Sequence, residues 1–226
     1  MLPVECEPDV TYNLTAAYGW GAPDGYSRLI WGLNGTLSED TVTHYDGVRA
    51  QGPTLRALAN QIVQVELSNQ YLTEGTSLHF HGIHQVNTPF FDGSDTIAQP
   101  QLPTMHSLRY KFRAWPPGTH WYHSHVGMQY VDGQRGLLIV EDPDDPYAEV
   151  IVEDEALMLS EWNHATANEM LMWDFAATAT VDDAADDFTT HGDDDVGGDD
   201  IPLEKGGDFI GLHSVLVNGQ AEWAGR

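Results

Sequence analysis

Short segments of the chain alternate apolar and polar side chains with a period of two. In residues 62–67 this period places Val63, Val65 and Leu67 on one face, and residues 108–113 repeat the pattern with three bases on the other face. Segments rich in glycine and proline separate these runs, and no helical period longer than two turns precedes residue 140. Many short alternating segments between turns predict an all-β fold, a sandwich or a barrel.

The composition changes after the apolar run at residues 136–140, which is typical of a buried strand. We place a domain boundary in the acidic, proline-containing segment 141–146, so that residues 1–141 form one domain and residues 142–226 a second. The predicted elements of the second domain are strands at 155–162 and 209–218 and a short helix at 167–175. They offer too little apolar surface for a complete sandwich, so we expect a partial domain and a chain that is a fragment.

Negative charge is concentrated in the second part of the chain. The sequence holds 35 acids and 9 bases, and 23 of the acids but only 2 of the bases lie in residues 141–226. Such a surface repels nucleic acid and anionic lipid, so we expect neither as a partner. No stretch approaches the roughly 20 apolar residues of a membrane span.

Residues 181–208 hold eleven acids, five glycines and one base. This composition predicts a solvated, disordered insertion. Its aspartates also suit weak calcium binding, although their spacing does not match an EF-hand loop. Adaptation to high salt and a role in an acidic, mineral-associated matrix are the other interpretations.

Two His-x-His pairs are the strongest candidates for chemistry: His79 with His81, and His123 with His125. Residues i and i+2 of a strand point to the same face, so each pair projects two imidazoles to one side. If the two segments are neighbours, four imidazoles converge. Imidazole binds copper, zinc, nickel and iron, and four rings without a carboxylate favour a late, nitrogen-binding metal.

The other histidines lack a patterned partner. His84 and His120 each lie an odd number of positions from the nearest pair, so an unbroken strand would turn them to the opposite face. We expect surface or hydrogen-bonded structural roles for these two and for the remaining five. Those five are His44, His106, His164, His191 and His213.

The sequence around both pairs resembles the multicopper oxidases, the laccase and ascorbate oxidase group. Residues 78–83, Leu-His-Phe-His-Gly-Ile, resemble the first copper motif of that family, and residues 118–125 followed by 129–136 resemble the second. Residues 92–100 are similar to the family's linking loop. Residues 159–162 and 214–219 resemble the opening strands of the second domain.

The resemblance implies a fold and a set of ligands. The fold would be a cupredoxin-like Greek-key β-sandwich at 1–141 and part of a second cupredoxin domain, with the acidic insertion at 181–208. Copper would be the cofactor, with His79 on the type 2 ion and His81, His123 and His125 on the type 3 pair. In the family, the third domain carries the type 1 copper and the other four cluster histidines.

The implied reaction is oxidation of phenols, aromatic amines or metal ions coupled to reduction of dioxygen to water. A type 1 copper site requires a thiolate, and the only cysteine is Cys6, far from both pairs. We therefore expect this chain to supply half of a trinuclear copper site and to be inactive alone. The one cysteine also excludes an intrachain disulfide.

Three residues beside the second pair have two interpretations each. The rings of Trp121 and Tyr122 could shield the metals from water or could be ordinary core aromatics. Asp132 could orient an imidazole, although a turn-forming Asp-Gly is the stronger interpretation.

The remaining alternatives concern location and class. The first residues lack a secretory signal, but the resemblance and the sequons at Asn13 and Asn34 favour a secreted protein. The main rival function is a non-catalytic, acidic extracellular or matrix protein that binds copper or calcium. A copper nitrite reductase-like enzyme ranks low because it needs a type 1 site in its first domain.

Overall fold

The computed structural model describes residues 6–37, 49–172 and 213–221. Its strands are β1 Val10–Gly21, β2 Arg28–Leu37, β3 Leu55–Leu58, β4 Ile62–Asn69, β5 His79–His81, β6 Ser107–Arg113, β7 Gly118–His123, β8 Arg135–Glu141, β9 Leu159–Trp162 and β10 Ser214–Val217. A single 3₁₀ turn is described in addition, at Pro89–Phe91. The predicted all-β class is confirmed.

Two four-stranded sheets form a cupredoxin-like sandwich. One sheet has the order β2-β1-β4-β6 and the other β3-β8-β7-β5. Between them lies a single apolar core to which Val63, Leu67, Phe112 and Leu138 each contribute a fully buried side chain. The alternation seen in the sequence arises because only the inner face of each sheet contacts this core.

Where the structure describes them, the predicted strands agree with the observed ones except at their ends, and residues 209–212 of the strand predicted at 209–218 lie outside the described residues. The segment at 155–162 is strand only from Leu159, since residues 153–158 make no ladder. Residues 167–172 of the helix predicted at 167–175 are helical, and residues 173–175 lie outside the described residues. The acidic insertion at 181–208 lies outside the described residues, as do His44 and His191, and the division at residue 141 stays a prediction.

Strands β9 and β10 form a separate antiparallel ribbon. A two-stranded ribbon is only marginally stable alone. Here Trp162 and Leu216 on its inner face pack with Ile30 and Ala50 in a second small core. The ribbon is therefore held by the sandwich that precedes it.

A buried carboxylate also fastens the ribbon. Asp24 accepts hydrogen bonds from Ser214 Oγ (2.5 Å), His164 Nε2 (2.9 Å) and the backbone N–H of Tyr26 (3.0 Å). Burial alone would raise the pKa of Asp24, but these three donors outweigh it and lower the pKa. His164 thus has the structural role expected of it, with His213 stacked on its ring at 4.3 Å.

Candidate metal centre

The two His-x-His segments are hydrogen-bonded neighbours. Strand β5 pairs antiparallel with β7, and the register places His79 opposite His123 and Phe80 opposite Tyr122. Phe80 and Tyr122 point into the core and are fully buried. The period of two then forces His79, His81 and His123 onto the opposite face of the sheet.

Three of the predicted ligands form a tight cluster. Ligand nitrogens of His79, His81 and His123 all lie within 4.8 Å of one another. His81 Nδ1 is 3.4 Å from His123 Nε2. Two nitrogens bound to one ion at about 2.0 Å in tetrahedral geometry are roughly 3.3 Å apart, so this spacing fits a shared metal ion.

The fourth predicted ligand, His125, lies just beyond the end of β7, so the strand period does not place it. Its ring centroid is 5.6 Å from that of His79 and 6.3 Å from that of His123. It therefore borders the cluster without joining the closest three nitrogens.

Backbone carbonyls orient two of the rings. His79 Nδ1 is 2.7 Å from the carbonyl oxygen of Asp92, and His123 Nδ1 is 2.8 Å from that of Ser124. An Nδ1–H that donates to a carbonyl leaves the Nε2 lone pair for a metal. The carboxylate of Asp92 adds a second contact, with Oδ2 at 3.3 Å from the same Nδ1 of His79.

Asp92 is the contact that sequence reasoning missed. It lies eleven residues after His81, and no local period links the two. The 3₁₀ turn at Pro89–Phe91 reverses the chain and brings Asp92 back beside His79. Only the tertiary fold reveals this partner.

Two imidazoles of the cluster, those of His81 and His123, have lowered pKa values. The pKa of His123 is lowered to about 4, chiefly by burial; the Ser124 carbonyl opposes this shift, and the neighbouring His79 and His81 add to it. Burial and the adjacent His79 also lower the pKa of His81. A metal ion at this site does not compete with a proton on His123 until the pH falls near 4.

A cavity of about 430 Å³ opens over the four predicted ligands. Trp121 lines it and stacks on His123, with ring centroids 4.0 Å apart, and on His81 at 5.2 Å. Tyr130, a residue the sequence did not single out, completes the wall 5.3 Å from His123. Trp121 therefore covers one side of two imidazoles, whereas Tyr122 fills the core, the second of the two interpretations given for it.

The structure also tests the expectations for Asp132 and His120. Asp132 does not contact the histidines: it pairs with Arg28 (2.9 Å) and accepts a hydrogen bond from the backbone N–H of Ala167. It also lies in the turn before Gly133, as the Asp-Gly interpretation predicted. His120 has a structural contact, its Nε2 lying 2.9 Å from the carbonyl oxygen of Pro116.

A buried amide anchors the loop between His123 and His125. Gln129 Oε1 accepts hydrogen bonds from Ser124 Oγ (2.6 Å) and Thr76 Oγ1 (2.9 Å). Gln129 Nε2 donates to Glu74 Oε2 (2.7 Å) and to the carbonyl oxygen of Gly75 (2.9 Å). The residue between the second pair of histidines is thus linked to the segment before the first pair.

We expect Gln129→Ala to destabilise the protein by about 3 kcal/mol, because it leaves several buried polar groups without partners. Urea unfolding, followed by tryptophan fluorescence, measures this loss. The matched control is Gln70→Ala, since Gln70 is exposed and the hydrogen bond described for its side chain is to Ser68 Oγ. Equal unfolding midpoints for the two variants would show that the network adds nothing to stability.

Comparison with known proteins places this geometry in a family. The model of a multicopper oxidase domain matches residues 16–145, which include all four predicted ligands. The chain belongs to the multicopper oxidase family. Imidazole-rich sites suit copper, and the multicopper oxidases are oxidoreductases that use it.

Curated relatives span several kinds of multicopper oxidase. The chain is 38% identical over 156 residues to the iron transport multicopper oxidase fetC of Epichloe festucae, and 36% identical over 160 residues to laccase-4 of Trametes villosa. It is 35% identical over 159 residues to the L-ascorbate oxidase of Cucumis sativus. These matches cover 69%, 69% and 70% of this chain but 23%, 29% and 25% of the relatives.

Two solved structures of multicopper oxidases resemble this chain in fold. Fet3p, a multicopper oxidase that functions in iron import, superposes with a TM-score of 0.65 at 26% identity, covering 93% of this chain and 32% of that one. A laccase from Botrytis aclada gives a TM-score of 0.62 at 25% identity, covering 96% and 32%. The chain therefore spans about a third or less of these multicopper oxidases.

Proposed function

We propose that this chain supplies copper ligands to a laccase-like multicopper oxidase, which oxidises phenols, aromatic amines or metal ions and reduces dioxygen to water. The observation that carries the proposal is the cluster of His79, His81 and His123 nitrogens within 4.8 Å of one another. A cluster of imidazoles whose rings are oriented by hydrogen bonds suits copper.

His79 would hold the type 2 ion, and His81, His123 and His125 would hold the type 3 pair. The 3.4 Å spacing of His81 Nδ1 and His123 Nε2 supports a common ion for these two. His125, outside the closest group, would serve the neighbouring ion. Bound copper would supply the one-electron chemistry that protein side chains lack.

The residues around the ligands have three tasks. The carbonyls of Asp92 and Ser124 fix the tautomers of His79 and His123. The indole of Trp121 excludes water from one side of two imidazoles. The carboxylate of Asp92 places a negative charge beside His79, which favours a cation at the site.

The proposal includes only half of a trinuclear centre. A type 1 site needs a thiolate, and Cys6 is the only cysteine of this sequence. We infer that the type 1 copper and four further histidines lie outside this chain, and that this chain alone does not turn over.

A copper-loading and oxygen-uptake experiment tests this inference. We expect the chain to bind copper but to consume no oxygen above the background of free copper when 2,6-dimethoxyphenol is added. Metal analysis after gel filtration gives the copper content, and an oxygen electrode gives the rate. Sustained turnover would contradict the half-site. Failure to bind copper would contradict the metal centre itself.

The rival is a non-catalytic protein that binds copper or calcium in an acidic extracellular matrix. A His-Cys-His motif in sequence beyond this chain would favour the oxidase. Calcium binding by residues 181–208 stays a prediction, to be tested by calorimetry on that peptide against a scrambled one.

We further propose that the protein is secreted, as the sequons suggest. Asn13 lies on an exposed position of β1, where a glycan could be attached. Among the described residues, no helix is long and apolar enough to cross a membrane.

A further inference from the structure

Two buried arginines and one buried carboxylate lie near the metal centre, and one of them, Arg135, is opposite His123 in the pairing of β7 with β8. Arg28 and Arg135 are 5% and 6% exposed, and Asp132 is 1% exposed. Asp132 lies 2.9 Å from Arg28, whose guanidinium also stacks 3.7 Å over the ring of Trp162. Arg28, Asp132 and Arg135, called here the arginine cluster, thus contain two guanidinium groups and one carboxylate, and the carboxylate forms its ion pair with Arg28.

Arg135 is the member without an ion pair among the described residues. Its guanidinium donates to the carbonyl oxygens of Tyr130 (2.9 Å) and Glu161 (3.4 Å), while its Nε has no partner within the described part of the chain. Burial lowers the pKa of Arg135 to about 10, so the side chain stays charged at neutral pH. A buried charge left unpaired is unfavourable, and an anion would relieve the cost.

A cavity of about 500 Å³ lies beside Arg135, between strands β7 and β8 and the segment that leads into β9. Its apolar wall includes Trp121, Leu137, Leu157 and Met158. Its size is within the range of small-molecule sites, which are mostly apolar with a few polar groups.

Ser160 is a second polar residue that lines this cavity. Its Oγ is buried and has no hydrogen-bond partner among the described residues, and Ser160 lines the cavity together with Arg135. The carboxylate of Glu161 does not fill the role of the anion. Glu161 is exposed, and its contact with Arg135 is made by its backbone carbonyl.

We propose that this cavity binds a small aromatic carboxylate. The carboxylate would pair with Arg135 and accept a hydrogen bond from Ser160, since guanidinium and hydroxyl donors match its oxygens. The aromatic body would lie against Trp121 and Leu137, which a simple inorganic anion would leave in contact with water. The site is separate from the proposed copper ligands but shares Trp121 and Tyr130 with their cavity.

Isothermal titration calorimetry of the full chain at pH 7 tests the site with three probes. Benzoate has both the ring and the charge, benzamide has only the ring, and acetate has only the charge. We expect saturable binding of benzoate, at least tenfold tighter than that of either comparator. No saturable binding of benzoate, or equal binding of benzamide, would overturn the proposal.

Two variants at one position separate charge from shape. Ser160→Asp places a carboxylate beside Arg135, so it should abolish benzoate binding and raise the melting temperature. Ser160→Asn has the same shape without the charge, so it should weaken benzoate less and should not raise the melting temperature. Identical behaviour of the two variants would overturn the charge argument. If the protein does not bind benzoate and Ser160→Asp still raises the melting temperature, the proposed ligand is wrong. An acidic side chain of another segment would then be the partner of Arg135.

Discussion

Replacing His81 and His123 together by alanine is expected to lower copper affinity by at least about a thousandfold. The two nitrogens lie 3.4 Å apart and would share one ion, so the double variant removes two ligands of that ion. A partner that only orients a ligand is already worth roughly 10–100-fold in affinity, and losing two ligands costs more. A copper titration against a competing chelator measures the change.

His84→Ala is the matched control for this experiment. His84 is exposed, lies three residues from His81 and is absent from the cluster of ligand nitrogens. We expect it to keep the full copper affinity, with circular dichroism confirming that all variants are folded. A double variant that binds copper as the parent does, or a control that loses as much, would refute the ligand assignment.

Gly93→Ala is expected to destabilise the protein by about 4 kcal/mol and to displace His79. Gly93 has φ of +85°, and a Cβ at this position would lie 1.9 Å from the carbonyl oxygen of Leu78 and 2.8 Å from the nitrogen of His79. Both neighbours are backbone atoms and cannot rotate away, so the loop must move. The unfolding free energy from urea titration gives the loss.

Gly127→Ala is the matched control, because it carries the cost of an alanine at positive φ without the steric clash expected at Gly93. Gly127 also has positive φ, at +49°, but a Cβ there meets nothing within 4 Å. It should cost only about 1 kcal/mol. If the two variants unfold at the same urea concentration, close packing of Gly93 on the first histidine strand does not matter to stability.

Local patterns in the sequence were sufficient to predict several of the strands and the clustering of three of the four proposed ligands. The period of two assigned Val63 and Phe112 to the core, and both are fully buried. The same period placed His79 and His81 on one face, since neighbouring side chains of a strand must point to opposite sides. These rules involve one segment at a time, and so they can be read from a linear chain.

Contacts between distant segments could not be predicted in this way. Trp121 and Tyr122 are adjacent in sequence, yet one lines the metal cavity and the other fills the core. Their roles depend on which face of β7 meets the opposite sheet. His125 belongs to a His-x-His pair, as His81 does, but β7 ends before His125.

The sequence by itself determined the all-β class, the two histidine pairs and the acidic character of the chain, because composition and strand period are local properties. Only the tertiary structure decided that β5 and β7 are neighbours, that Asp92 returns to His79, and that Asp132 belongs to the arginine cluster. Register and burial depend on how segments far apart in the chain pack together, and hydrogen bonds and charges acquire their partners only then.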